Sequence, residues 1–393
     1  MDINNILPFI LKKGEGCSFY SFSNADGKRW LMPARHMRIA MNLYQPSGIK
    51  GKLMKVLFPY LHKVRVVNRA VHAEKGRYKL HPDLNALLCK LFDTTDIEFS
   101  VFCGTPCVHQ KITMQISKGE RILGYAKFSD NREIKGIFRK EKETLDYLWQ
   151  KGIQVVPECL YCGSMENGIG LFIQNTTKSL YSSTDHQWGI RETAFMKELH
   201  EKTKQNLLFE QTDFYHDLCF LCEQVNSLKD YDRKTIQKGV RIVLNRYAKK
   251  EVEFSSYHAD FTPWNIYVEK GRLFAFDLEY AKRTYPPGLD YFHFFTQTAI
   301  FEKHLDTNNI WILYQQSRKD AKELFIEQDM DFAYLCYLLS IVAHYVKREK
   351  GCFTDDVQRN MNRWFMLIVF VCRNLKKMAP LVKVLQKQTD IVY

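Results

Sequence analysis

The segment His258-Ala-Asp260-Phe-Thr-Pro-Trp-Asn265, followed twelve residues later by Asp277-Leu-Glu279, constrains this chain more than any other. Between its halves lie two short apolar runs, Ile266-Tyr267-Val268 and Leu273-Phe274-Ala275-Phe276, joined by Glu269-Lys270-Gly271-Arg272. That is a strand-turn-strand signal. A tight hairpin there returns Asp277 to the neighbourhood of Asn265. Two oxygen ligands converging from opposite ends of a hairpin suit Mg2+, which keeps several waters and takes one or two carboxylates plus substrate phosphates. Asp260, five residues before Asn265, is left to accept or orient the proton of an attacking hydroxyl. The spacing of acid, amide and acid therefore predicts a phosphoryl-transfer centre.

These residues resemble the aminoglycoside phosphotransferase and choline kinase group of protein-kinase-like enzymes, whose catalytic loop is similar to H-x-D-x-x-x-x-N and whose metal motif is D-x-E in place of D-F-G. The resemblance covers roughly residues 96–300. It implies an α+β, two-lobe fold with an antiparallel-sheet N-lobe and a helical C-lobe. Residue by residue it implies that Asp260 is the catalytic base, that Asn265 and Asp277 hold Mg2+, and that Glu279 supports the second carboxylate position, with His258 packing the loop. The run Pro287-Gly288-Leu289-Asp290-Tyr291-Phe292-His293-Phe294 also looks like the choline-kinase-like members, in which an acid braces the catalytic segment. From the residues alone, Asp290 equally caps a helix opening at Tyr291. A lone H-x-D or D-x-E is common in any sequence. The joint order of triad, hairpin and apolar flanks is what carries the resemblance.

A kinase also needs a lysine for the α- and β-phosphates and a helix-borne acid to hold it. In Ile122-Leu123-Gly124-Tyr125-Ala126-Lys127-Phe128, which reads as a strand, Lys127 shares a face with Leu123 and Tyr125. In the helical pattern of residues 137–149 the apolar stripe runs Ile137, Leu145, Leu148, and Glu141 falls on it, while Glu143 faces the polar side. A carboxylate on an inward face is costly unless paired, so Glu141 is expected to hold Lys127. Other nucleotide contacts are weaker in the sequence. Residues 98–102 and 111–116 predict two strands around a turn at Gly104, whose backbone amides to Val108 would face phosphates. Residues 171–175, including Ile173, are the expected hinge for adenine. No Walker A loop competes, since Gly-Lys at 27–28 and 51–52 lacks both the upstream glycine and the following Ser or Thr.

With 393 residues and 46% hydrophobic content, the chain can bury a sizeable core. Three parts are expected: a basic N-terminal extension over 1–95, a strand-rich nucleotide-binding lobe over 96–178, and a helical lobe over 179–393 carrying the catalytic loop and acceptor site. Apolar stretches at 334–346 and 364–372 are too short to cross a bilayer and fit buried helices. Residues 1–11 lack a secretory pattern, and a cytoplasmic location is expected. Cys159-x-x-Cys162 and Cys219-x-x-Cys222 resemble zinc half-sites, yet scattered cysteines beside apolar neighbours read better as reduced core thiols.

Charge is the second informative feature. Residues 28–79 hold thirteen Lys or Arg and one acid, Glu74, which is nearly all of the net +13. Such asymmetry points to an anionic partner: an anionic acceptor, or an acidic membrane met peripherally; with no recognisable nucleic-acid fold, nucleic acid ranks below both. The expected activity is ATP- and Mg2+-dependent transfer of a γ-phosphate to a hydroxyl of a small molecule or saccharide-bearing acceptor, which the motifs do not specify. The contrasting reading is a non-catalytic kinase-like protein that binds anionic surfaces through its extension. Intact Lys127, Glu141, Asp260, Asn265 and Asp277 speak against it, since a scaffold has no need of all five.

Overall fold

Strand alternation builds the first half of the molecule. In the computed structural model, which describes residues 3–46, 48–107, 109–224, 230–318, 324 and 329–389, eight strands form one antiparallel sheet. They are β1 (Leu11–Ser23), β2 (Arg29–Pro33), β3 (Glu74–Leu80), β4 (Glu98–Phe102), β5 (Ile112–Lys118), β6 (Arg121–Ser129), β7 (Cys159–Ser164) and β8 (Gly170–Asn175), in the order β3-β1-β2-β4-β5-β6-β8-β7. Side chains at alternate positions share a face. Thus Ile112, Met114 and Ile116 of β5, Ala126 and Phe128 of β6, and Leu171 and Ile173 of β8 join one apolar layer. Helices α1 (Ile3–Ile10) and α5 (Pro82–Leu91) contribute Ile6, Ile10, Leu84 and Leu88 to it. On the opposite face, Tyr20, Phe22, Trp30 and Met32 pack with Met37 of α2 (Met37–Ala40) and Phe58 of α3 (Ile49–Leu61). Helix α4 (Arg65–Ala70) follows α3. Further along that face lies α6 (Arg132–Gln150), where Phe138 meets Phe172 of β8 at 5.9 Å between rings.

Residues 1–95, expected as an extension, are built into this sheet. Trp30 and Leu31 of β2 pair with Phe102 and Val101 of β4, so the division expected near residue 95 is not a division of the sheet. Charge concentration marked this stretch, but charge lies on surfaces and says nothing about strand pairing.

The chain forms two compact units: Met1–Trp149, Gln154–Ser183 and Val268–Phe274 in the first, and Gln150–Ile153, Thr184–Tyr267 and Ala275–Tyr393 in the second. The second is largely helical, with α7 (Ile190–Thr203), α8 (Asp213–Gln224), α9 (Asp230–Tyr247), α10 (Leu289–Phe301), α11 (Thr307–Ser317), α12 (Met330–Glu349) and α13 (Asp355–Thr389). Its strands are β9 (Gln205–Leu208), β10 (Glu251–Tyr257) and β13 (Lys282–Tyr285), in the order β13-β10-β9, and β11 (Ile266–Glu269) and β12 (Arg272–Ala275) form a hairpin that the two units share. Residues 225–229, between α8 and α9, lie outside the described residues.

Helix α12 is buried along almost its whole length, from Met330 to Ala343 and again at Val346. A helix so continuously buried belongs in a core. Its one buried acid, Asp331, accepts hydrogen bonds from the Tyr314 hydroxyl at 2.7 Å, Arg318 Nη1 at 3.0 Å and Asn374 Nδ2 at 2.8 Å. Those bonds compensate a carboxylate that would otherwise be costly there. The stretches expected as core helices, 334–346 and 364–372, fall in α12 and α13, with Trp364 fully buried. No helix among the described residues is long and apolar enough to cross a membrane.

The turn after β4 is constrained sterically. Gly104 has φ +81°, and a Cβ there would lie 2.2 Å from the Lys111 carbonyl oxygen. Its glycine is required by the fold, whatever the turn contacts; Val108, at the end of the stretch expected to face phosphates, lies outside the described residues. Gly104→Ala is expected to lower stability by at least about 1 kcal/mol. Thermal unfolding checks this, and an unchanged midpoint would show that the turn does not need this conformation.

Candidate active site

The catalytic-loop candidates are organised by one carboxylate. Leaving β10, the chain enters His258 and Ala259, whose backbone amides donate to Asp290 Oδ2 at 2.9 Å and Oδ1 at 3.0 Å. Ala259 has φ +67°, a left-handed conformation that costs a non-glycine residue roughly 1–2 kcal/mol. The bidentate bracket from Asp290 offsets that strain. Asp290 is 2% exposed and sits in the first turn of α10, whose N-cap is Gly288. It braces the loop and is not the helix cap, which resolves the two readings left open by the sequence. Burial pushes its carboxyl up to about 7, against the two backbone donors, which pull it down.

His258 ties the loop to the hairpin. Its Nε2 lies 3.1 Å from the Phe276 carbonyl and its Nδ1 accepts from the Asp260 amide at 3.3 Å. Only the neutral tautomer with its proton on Nε2 satisfies both partners. Burial favours the same state, lowering the imidazole to about 4 even though Asp260 and Asp277 pull it upward. Phe276 in turn donates its amide to the Asn265 carbonyl at 3.0 Å. The turn between β11 and β12 has φ 50° at Lys270 and 80° at Gly271. Two successive positive values are the signature of a type I′ hairpin turn. The expected hairpin is therefore present, and it returns Asp277 to the level of Asn265.

Asn265, 6% exposed, donates its Nδ2 to Asp260 Oδ2 at 2.7 Å and to the Asp260 carbonyl at 3.0 Å. Its amide oxygen is the acceptor it retains for a cation. Asp277 adopts φ 63°, and Asp277 and Glu279 bring carboxylate oxygens within 4.8 Å of one another. This set of hard oxygen donors fits Mg2+.

A residue without an assigned role in the sequence reading completes the arrangement. His293 Nε2 lies 3.2 Å from Asp260 Oδ1. His293 is 3% exposed, and its Nδ1 has no hydrogen-bond partner among the described residues. The signal was available: His293 follows Asp290 by three residues on α10, so both face the loop. Beside Asp260 opens a cavity of about 260 Å³. Trp264, Tyr280, Phe301 and Tyr345 supply aromatic wall, with Trp264 and Phe301 edge to face at 6.2 Å. Arg348 lies over the Tyr345 ring at 4.2 Å, and His344 meets Tyr280 at 4.6 Å. Burial and the neighbouring Arg348 hold His344 well below its usual value, hence neutral. Among the described lining residues Asp260 is the one carboxylate.

In the first unit, Lys127 of β6 donates to Glu141 of α6 at 2.8 Å and 2.9 Å, to its two carboxylate oxygens. Lys127 is 5% exposed and Glu141 fully buried. The helix begins earlier than expected, and its buried positions are Ile134, Phe138, Glu141, Leu145 and Leu148, spaced four, three, four and three. Ile137 is only half-buried, so Ile134 and Phe138 carry the stripe in its place. Glu141 keeps the inward position assigned to it. The hinge assignment fares differently. Ile173 is paired with Ala126 of β6 on one side and Tyr161 of β7 on the other. The sheet ladder takes up the backbone groups that reading adenine would need, because β8 is an interior strand and not an edge. The cysteines are free, and Cys159, raised to about 12 by burial and the neighbouring Cys162, is a thiol.

No family model matches the chain, and no curated protein matches it. Among solved structures it is similar to a thermostable mutant of the aminoglycoside phosphotransferase APH(4)-Ia, with TM-score 0.48 and 11% identity over 74% of this chain and 98% of that one. The same protein in a ternary complex with ADP and hygromycin B gives TM-score 0.47 and 12% identity over 73% and 98%. ADP-bound aminoglycoside phosphotransferase APH(2'')-Ib gives TM-score 0.44 and 14% identity over 74% and 97%. At such identities and TM-scores the likeness assigns no residue a role, and the roles below rest on the residues themselves.

Two measurements check this geometry. Lys127→Met removes the ammonium that both Glu141 carboxylate oxygens hold in a buried setting and is expected to cost about 3–5 kcal/mol, most of it restored in Lys127→Met/Glu141→Leu. Chemical denaturation of both variants reads this, and an unchanged single variant would refute burial of the pair. His258 has a folded-state value below its unfolded one, so its stabilisation is complete above about 6.5 and is lost as pH falls toward about 4. On the order of 3 kcal/mol is involved. His258→Gln should flatten the fall in stability between pH 7 and pH 4 relative to the unmodified protein.

Proposed function

We propose that this protein is an ATP- and Mg2+-dependent phosphotransferase that moves the γ-phosphoryl group to a hydroxyl of a small, saccharide-like acceptor. The observation that carries this reading is the state of Asp260. Its carboxylate is gripped by Asn265 at 2.7 Å and approached by His293 at 3.2 Å, at the wall of a cavity with no other acid among the described lining residues. A carboxylate oriented from two sides and facing open space is what a hydroxyl needs to be aimed and deprotonated.

The reaction divides among named groups. The acceptor oxygen bonds to the γ-phosphorus, its proton passes to Asp260, and the bond to the bridging oxygen breaks as ADP leaves. Lys127, fixed by Glu141, offers its ammonium to the α- and β-phosphates. Asn265 and Asp277, with Glu279 beside Asp277, would hold the metal. Mg2+, when bound, neutralises phosphate charge. His258 and Asp290 contact no substrate and position the loop.

The cavity also bears on the acceptor. Aromatic faces of Trp264, Tyr280 and Phe301 suit the apolar faces of a sugar ring, and Arg348, whose Nε pairs with Glu349 at 2.7 Å, brings a guanidinium to the lining. A polycationic acceptor would meet Arg348 with only Asp260 as a carboxylate partner in the lining. A neutral or anionic saccharide fits this lining better, and a reaction that consumes ATP fits the cytoplasm.

Incubating the protein with γ-labelled ATP, Mg2+ and sugars, sugar acids and sugar phosphates tests the activity. Asp260→Ala is expected to lower transfer by about 10²–10⁴-fold while nucleotide affinity stays near that of the unmodified protein. Asp277→Ala should lose both. Equal Mg·ATP affinity by calorimetry for Asp277→Ala and the unmodified protein would remove Asp277 from the metal site. Arg348→Ala should raise KM for an anionic acceptor and leave a neutral one unchanged.

A further inference from the structure

We propose that α3 and α4 form a peripheral docking surface for an anionic lipid membrane. Sixteen large apolar side chains are markedly exposed among the described residues, and eight of them fall within residues 49–66. Single exposed apolar residues are ordinary, whereas a contiguous group marks an interaction surface.

The arrangement on α3 is specific. One side of the helix is seated by Phe58, 2% exposed, whose ring meets those of Tyr20 and Phe22 at 5.8 Å. The opposite side should then be polar, as on any surface helix. It is apolar instead: Ile49, Leu53, Val56 and Tyr60, spaced four, three and four, are 86%, 58%, 63% and 70% exposed. At 100° per residue they form one stripe centred almost opposite Phe58. Lys52 borders the stripe on one side and Lys50 on the other, and Lys63 follows just after the helix, all exposed. Helix α4 continues the surface. None of its residues is buried, Val66 is 74% exposed, and Arg65 and Arg69 are exposed beside it.

An apolar stripe bordered by lysines is the pattern of a helix lying in a membrane interface, with long cationic side chains reaching the headgroups. Charge selects the occupant. Residues 28–73 contain no acid, so the surface is complementary to anionic headgroups and repels a second copy of itself. Single-stranded nucleic acid would call for aromatic stacking platforms, and among the exposed apolar residues of 49–66 only Tyr60 is aromatic. The inference is independent of the proposed reaction, because it concerns binding and no residue of the candidate active site.

Flotation of the full-length protein with vesicles of phosphatidylcholine alone, and of phosphatidylcholine with phosphatidylserine, tests it. The protein is expected to float with the anionic vesicles only, and to be released as salt rises. The combined variant Leu53→Ser/Val56→Ser/Tyr60→Ser should bind at least tenfold more weakly at an unchanged melting temperature, since all three side chains are solvent-facing. Lys50→Glu/Lys52→Glu/Lys63→Glu should lose the preference for phosphatidylserine. The proposal is overturned if the unmodified protein floats with neither vesicle, or if both variants float as it does. It is equally overturned if the apolar variant instead abolishes a concentration-dependent dimer seen by light scattering, or binding to a single-stranded oligonucleotide.

Discussion

The candidate site depends on the bracket that Asp290 places around the amides of His258 and Ala259. A left-handed non-glycine residue immediately before the candidate catalytic carboxylate would ordinarily relax, and with it the direction of Asp260. Two backbone hydrogen bonds to a carboxyl group that is itself almost fully buried make relaxation costly, because opening the loop leaves that group without donors. From this bracket the rest follows in sequence. His258 is held neutral between Phe276 and the Asp260 amide, Phe276 is held to Asn265, and Asn265 closes on the Asp260 carboxylate. Each member is fixed by a bond to the next, so the two ends of the β11–β12 hairpin are tied to a single loop.

The same logic governs Lys127 and Glu141. A buried ion pair is poor evidence of stability, because well-packed apolar residues of similar volume often do as well or better. Retaining one at the centre of a sheet-helix contact suggests another use. Glu141 occupies a place in a row otherwise filled by isoleucine, phenylalanine and leucine, and Phe172 lies 5.5 Å from the Lys127 ammonium. A leucine at position 141 would satisfy packing alone. What it could not do is fix an ammonium group in one orientation.

Much of this was legible in the sequence, and the physical reasons differ by element. The hairpin was readable because Lys270-Gly271 between two apolar runs leaves few alternatives, and Glu141 was readable because a carboxylate within a helical apolar row needs a partner. The true extent of that row was not, since Ile137 and Ile134 are chemically alike and only packing tells them apart. Residues 1–95 were misread as an extension because a strand's partner is not written in the strand. Trp30 and Phe102 are far apart in sequence, and their pairing is decided by the whole sheet. Ile173 shows the same limit, since an interior and an edge strand differ in neighbours and not in composition. His293 escaped for a different reason: a histidine among Phe292, Phe294 and Phe295 reads as core, although its spacing from Asp290 places both on one side of α10.

The least legible part is the acceptor cavity, and its construction shows why. On α10, Asp290, His293, Gln297 and Phe301 succeed one another at helical spacing, passing from loop brace to carboxylate contact to cavity wall. On α12 the corresponding run is Ile341, His344, Tyr345 and Arg348. The same helix that buries Asp331 at its start thus turns from core to cavity in its last two turns, where a cation is also favoured by the helix dipole. Sequence patterning registers α12 as a buried apolar helix and averages its polar end away. Because Arg348 and His344 make no contact with the Asp290 bracket, the lining can vary in charge and shape while the catalytic loop stays as it is. On the proposed function, acceptor choice and phosphoryl transfer are therefore carried by separable parts of one helical unit: the loop after β10 would fix the reaction, and the last turns of α12 would contribute to what enters.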